Sequence, residues 1–221
     1  MKSILLLPLI LFILPCLHAA PKPKKIALWD NHAPIGEGKF KEEDAWIHIH
    51  RPANPNGTAA IICPGGGYGM QVMGPEGHGI ATWLNGQGIT GVVLQYRLPK
   101  GRSFVPLMDA QRAIRTVRVN AKKWNLDPKR IGIIGFSAGG HLASTAATHF
   151  PRFGEPPAKN PFDRISCRPD FAILVYPVVT MGKHTHGGSK RNLLGKNPTN
   201  ELVELFSNEK QVTKDTPPTY L

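Results

Sequence analysis

Four short, continuous apolar runs constrain this chain more than any other feature: Ala59–Cys63 (AAIIC), Thr90–Tyr96 (TGVVLQY), Arg130–Gly135 (RIGIIG) and Phe171–Val175 (FAILV). Each is too short for a helix and lacks the apolar–polar alternation of a half-exposed strand. Such runs belong to strands covered on both faces, the condition of a parallel sheet. Parallel neighbours need a long crossover between them, and the intervening sequence supplies helical patterns. Between Pro106 and Asn125, the residues Ala110, Ile114, Val117, Ala121 and Trp124 recur at helical spacing. This predicts an amphipathic helix with its arginines and lysines on the wet side. A helix through Ala81, Trp83 and Leu84, a small-residue helix over Ala138–Thr148 and a short one at Glu201–Phe206 complete the pattern, and Thr219–Leu221 reads as a strand beginning. The expectation is an α/β fold: a mostly parallel sheet with helices on both faces.

Earlier in the chain, Trp46–His50 (WIHIH) alternates with period two and predicts a half-exposed strand, its two histidines on one solvent-facing side. Pro21–Lys25 reads as a basic linker. Before it, Met1-Lys2-Ser3 leads into an apolar run of about fourteen residues and then His18-Ala19-Ala20, the make-up of a secretory signal peptide. The run is short for a membrane span and broken by Pro8 and Pro15. Residues 1–20 are therefore expected to be a leader cleaved near Ala19–Ala20, with 21–221 a single domain of a secreted or periplasmic protein that keeps no membrane segment. The other reading is an uncleaved anchor. Removing a leader takes Cys16 with it. Cys63 ends one strand and Cys167 precedes another, so they should lie at opposite ends of the sheet as buried free thiols.

A net charge of +12 comes from 27 Lys and Arg against 15 Asp and Glu, scattered along the chain. Such scattering does not make the basic stripe of a nucleic-acid-binding surface. Three cysteines exclude a disulfide scaffold or a thiolate zinc site; no cofactor is implied by any motif, and no metal is expected.

Chemistry enters at Gly135-Phe136-Ser137-Ala138-Gly139-Gly140, a G-x-S-x-G between a strand and a helix. A nucleophile on so sharp a turn needs small neighbours, which Gly135 and Gly139 supply, and the helix beginning at Ala138 offers free N–H groups to an oxyanion. One strand–helix–strand unit earlier, Pro64-Gly65-Gly66-Gly67-Tyr68-Gly69 leaves a buried strand. It lacks the Lys-Ser/Thr of a phosphate loop, so Gly66 and Gly67, with Ala138, are the expected oxyanion donors for attack by Ser137. Tyr68 is a candidate pocket residue.

The two motifs, with MDAQRAIRTVR ahead of GFSAGGH and VVLQYRLP after the glycine loop, resemble α/β-hydrolase serine esterases of the hormone-sensitive-lipase-like group. The likeness is strongest to secreted bacterial acetylxylan and feruloyl esterases and covers about Ile26 to Leu221. It implies a carboxylesterase acting on acetyl or similar esters of plant polysaccharide such as xylan, its partner being an acylated carbohydrate or small ester. The group usually has a histidine, ordering the loop, where this chain has Pro64. It also implies a triad acid and histidine on later strands, and neither is found before Leu221. Asp163, Asp170 and Asp215 fall at the wrong end of the sheet, and His141 and His149 on the elbow helix cannot turn back to Ser137. His184 and His186, past the carboxyl end of FAILV, are open to readings as pocket wall, plain loop, base or metal ligand, with no third ligand at useful spacing for the last. The chain is thus expected to lack the last strands and most of the activity. Two other readings stand beside this one: a prolyl-oligopeptidase-like serine peptidase, and a non-catalytic module binding acidic polysaccharide.

Overall fold

The computed structural model describes residues 22–29, 33, 45–150 and 164–221; the expected leader and Asp163 lie outside them. Seven strands form one sheet in the order β1-β2-β4-β3-β5-β6-β7. They are β1 (Lys24–Ala27), β2 (Trp46–His50), β3 (Ala59–Cys63), β4 (Thr90–Gln95), β5 (Ile131–Phe136), β6 (Ala172–Val175) and β7 (Thr219–Tyr220). The β1–β2 and β2–β4 pairs are antiparallel, and the pairs from β4 across to β7 are parallel. The runs of β3, β4 and β5 are buried on both faces, as strands inside a parallel sheet require, whereas β6 buries Ala172 and Leu174 on one face and only half-buries Ile173 and Val175 on the other. Ala59, Ile61 and Cys63 pack under α2 (Val105–Val119) and α3 (Ala138–Thr148). Ala60 and Ile62, one residue out of phase, meet Ala81 and Leu84 of α1 (Ile80–Gly86) on the opposite face. This is the expected α/β sheet with helices on both sides.

Several local expectations are corrected. The basic linker is in part a strand: β1 pairs with β2 along its length, with the Lys25 ammonium 4.2 Å above the Trp46 ring. The helix expected to reach Asn125 ends at Val119. A single turn over Lys122–Trp124 follows, closed by Asn125 at φ 57°, a left-handed conformation that asparagine tolerates better than most residues. The arginines of α2 are not on a wet face. Arg115 is buried and donates to the Ile165 carbonyl. Arg112 donates to Leu28, and Arg118 pairs with Asp170 at 2.9 Å. The segment around 165–170 crosses this helix, and its carbonyls take the guanidinium donors. His48 and His50 are half-buried rather than solvent-facing. His50 Nε2 lies 2.9 Å from His78 Nδ1, and His48 Nε2 lies 3.1 Å from Gln95 Oε1.

Two further helices follow β6. The first, α4 (Gly187–Leu194), lies where the sequence suggested only loop, and α5 (Asn200–Leu205) is close to the expected short helix. Cys63 and Cys167 are free and buried. Among the described residues no helix is long and apolar enough to cross a membrane.

Candidate active site

At the carboxyl end of β5 the chain turns sharply into α3, and Ser137 occupies the turn with φ 51° and ψ −117°. A non-glycine residue with this backbone is strained and persists only where its surroundings hold it. They do so on both sides. The Ser137 N–H donates to Val175 O at 3.1 Å, and its carbonyl accepts from Val178 N–H at 3.0 Å and His141 N–H at 3.1 Å. The flanking glycines are required by packing. A Cβ on Gly135 would stand 2.1 Å from Gly139 O, and one on Gly139 would stand 2.0 Å from Cys63 O. The tight approach of α3 to the sheet therefore depends on both.

The glycine loop leaves β3 beside this turn, close enough that a Cβ on Gly65 would meet the Ser137 Cβ at 3.1 Å. Gly66 and Gly67 have φ of 126° and 62°, backbone that side-chain-bearing residues avoid. Among the described residues no acceptor takes the N–H of Gly66, Gly67 or Ala138. The loop's carbonyls and its first amide, by contrast, are pinned. Pro64 O accepts the Tyr96 hydroxyl at 2.7 Å, the Gly65 N–H donates to Glu76 Oε2 at 2.7 Å, and Gly67 O accepts Asn192 Nδ2 at 2.9 Å. These three side chains order the loop that begins at Pro64. The Gly65 amide is already committed to Glu76, whereas those of Gly66, Gly67 and Ala138 are open among the described residues.

Tyr68 is not a pocket residue. Its ring is 2% exposed, and its hydroxyl lies 2.8 Å from His141 Nδ1 beneath the site. His141 Nε2 lies 2.8 Å from Phe206 O. Burial lowers the His141 pKa to about 4, although the Phe206 carbonyl pulls the other way, so the ring is neutral in this core. His149 is buried beyond it, with Nε2 against Leu205 O. Asp170 receives the Ile131 N–H at the start of β5, and the Asp215 carbonyl is held by Arg168, so both lie away from the elbow.

His184 and His186 line a cavity of about 580 Å³ together with Pro177, Val178, Thr180 and Glu209. His186 caps α4: its Nδ1 accepts the Ser189 N–H at 3.2 Å and lies 2.9 Å from Ser189 Oγ. A backbone N–H only donates, so Nδ1 is the accepting nitrogen, and the neutral ring carries its proton on Nε2. His186 therefore presents a donor to the cavity rather than the lone pair a base needs. Among the described residues the Ser137 hydroxyl has no hydrogen-bond partner, and no cluster of histidine, cysteine and carboxylate side chains is arranged to hold a metal.

Sequence reasoning missed Glu76, Tyr96, Tyr176 and Asn192. Tyr96 ends one of the recognised strands. The others come from the helical turn Gly74–Gly79 that leads into α1, a strand exit and an unpredicted helix, and no spacing rule joins them.

A mostly parallel sheet, a strained serine between strand and helix, and a glycine loop with open amides at the same edge define an α/β-hydrolase. The chain belongs to the BD-FAE family, whose model matches residues 47–221. It is similar to an acetylxylan esterase of Xylanibacter ruminicola, 40% identical over 76% of this chain and 33% of that protein. It is also similar to endo-1,4-beta-xylanase B of Butyrivibrio fibrisolvens, 43% identical over 73% of this chain and 26% of that protein. The chain thus spans a third or less of these relatives' lengths. Among solved structures it resembles an acetyl ester-xyloside bifunctional hydrolase from Caldicellulosiruptor lactoaceticus. The TM-score is 0.82 at 40% identity, covering 90% of this chain and 74% of that one.

Proposed function

We propose that this chain is a serine carboxylesterase domain acting on acetyl or similar acyl esters of a plant polysaccharide such as xylan, and that its leader sends it to the periplasm or outside the cell. The observation that carries the reading is the Ser137 turn facing a glycine loop whose Gly66 and Gly67 amides, like that of Ala138, have no acceptor among the described residues. Ser137 Oγ attacks the ester carbonyl, and the three amides receive the negative charge that develops on its oxygen. The relatives' names, an acetylxylan esterase and an acetyl ester-xyloside hydrolase, support an acetylated xylan-type substrate.

The attacking hydroxyl must lose a proton. Among the described residues no base is hydrogen-bonded to the Ser137 hydroxyl; the His186 Nε2 is a donor, and the His141 Nδ1 and Nε2 are both engaged in the core. The 221-residue chain alone is therefore expected to turn over slowly, and added imidazole is expected to raise the rate by standing in for the base. Acetate release from acetylated xylo-oligosaccharides, with and without imidazole, tests this. The wild-type rate should exceed that of Ser137→Ala, and only the wild type should respond beyond the background of free imidazole. Equal rates for the two proteins under both conditions would remove Ser137 from the mechanism. Cleavage of dipeptide amides but not of acetyl esters would replace the esterase reading with a peptidase one.

A further inference from the structure

One aromatic side chain beside the serine is placed where packing alone would not keep it. Tyr176 follows β6 directly, between the two residues whose backbones grip Ser137: Val175 O accepts the Ser137 N–H, and Val178 N–H donates to Ser137 O. Its φ is 36°, a value that a bulky side chain adopts only under strain. Glycine would satisfy that backbone without strain. The tyrosine ring is nonetheless 62% exposed, with only an edge contact to Phe136 at 5.9 Å between ring centres. Neither burial nor backbone preference accounts for a tyrosine here.

Its hydroxyl supplies the connection. Tyr176 Oη donates to Glu76 Oε1 at 2.9 Å, while Glu76 Oε2 accepts the Gly65 N–H at 2.7 Å. One carboxylate thus joins an exposed aromatic ring to the glycine loop. A carboxylate has about four acceptor positions, and these two bonds occupy two of them. Glu76 is half-buried, so acceptor capacity remains beside the ring.

We propose that Tyr176 and Glu76 form the subsite for the sugar ring that carries the ester. The apolar face of a pyranose lies on the exposed tyrosine ring, and its hydroxyls donate to the open lone pairs of Glu76. Because the same carboxylate holds the Gly65 amide, a sugar seated there is held in register with the oxyanion donors. This rests on the reading of Ser137 as an esterase nucleophile. It adds a determinant of the alcohol side of the substrate, one that a small ester without a sugar does not use. An aromatic acyl group could also stack on the ring, but a hydroxyl-rich carrier matches the carboxylate beside it as well.

The test separates binding from turnover. In a Ser137→Ala background, which holds the acetylated substrate intact, calorimetry measures the affinity for acetylated xylo-oligosaccharides. Adding Tyr176→Gly removes the ring and relieves the strained backbone, so the protein should melt no lower than its parent. Binding should weaken about tenfold, the scale of losing one aromatic contact together with its polar neighbour. Tyr176→Phe keeps the ring but frees Glu76, and should weaken binding less. Trp83→Ala, which alters a 64% exposed aromatic on α1, should leave affinity unchanged. Undiminished affinity in Tyr176→Gly, or no measurable binding in its parent, would overturn the subsite. If acetate release proved independent of Ser137 while binding still depended on Tyr176, the esterase reading would fail and the carbohydrate site would stand.

Discussion

Gly139 shows how much of this architecture depends on a single missing atom. A Cβ there would lie 2.0 Å from Cys63 O and 2.5 Å from Pro64 O, both of them backbone atoms that cannot rotate away. Substitution must push α3 off the sheet. Gly139→Ala is expected to cost about 3 kcal/mol or more, an overpacking penalty in a close-packed interior. That corresponds to a fall of about 10 °C in melting temperature for a domain of this size. Gly74→Ala, at a position with nothing within 4 Å, is the matched control and should melt within a degree or two of wild type. Calorimetry of the two variants checks the claim, and equal melting temperatures would refute it. Gly135 and Gly139 were legible in the sequence because the steric demand of a strand-to-helix elbow is local. Glu76 and Tyr176 were not, because their hydrogen bond joins positions a hundred residues apart in the chain.

At the level of elements, the same contrast separates β3 to β6 from β1 and α4. β3, β4 and β5 announce themselves as unbroken apolar runs because both their faces are covered, and β6 does so although one of its faces is only half-covered. β1, sequence KKIA, looks like a linker because its lysines stay exposed at the edge and its order comes from pairing with β2. α4, sequence GGSKRNLL, opens on two glycines and has little apolar periodicity. It is held by the His186 cap and by Asn192, which reaches Gly67 O. That contact makes α4 the outer clasp of the glycine loop. Asn192→Ala should leave the melting temperature within a few degrees of wild type. It should lower imidazole-assisted, Ser137-dependent acetate release about tenfold, since loosened oxyanion donors cost rate more than stability. A full wild-type rate in this variant would show that Tyr96 and Glu76 suffice to order the loop.

For the molecule as a whole, the buried His141 sets an acid limit. Its pKa falls from an ordinary 6.5 to about 4 because the ring is enclosed, so the folded state holds it neutral while an unfolded chain protonates it readily. The sign follows directly. Above about pH 6.5 both states are neutral and stability is unaffected; as pH falls from there the unfolded state gains protons first, and the loss levels off below about pH 4. The full effect is about 3 kcal/mol for a shift of this size. His50, also lowered to about 4 by burial beside His78, adds in the same direction but less, being half exposed. Urea midpoints measured at pH 7 and pH 4.5 should show the lower stability at the acid value. A titration placing His141 near pH 6.5 in the folded protein would refute the assignment.

The burial of the two cysteines has a kinetic consequence. Cys63 is 0% exposed at the end of a central strand, and Cys167 is 2% exposed beside α2's arginines. Burial raises the pKa of both thiols, so neither offers a thiolate. Oxidants and alkylating reagents reach these sulfurs only when the surrounding structure opens. The two thiols therefore act as clocks: Cys63 is timed by separation of α3 from the centre of the sheet, and Cys167 by release of the segment that crosses α2.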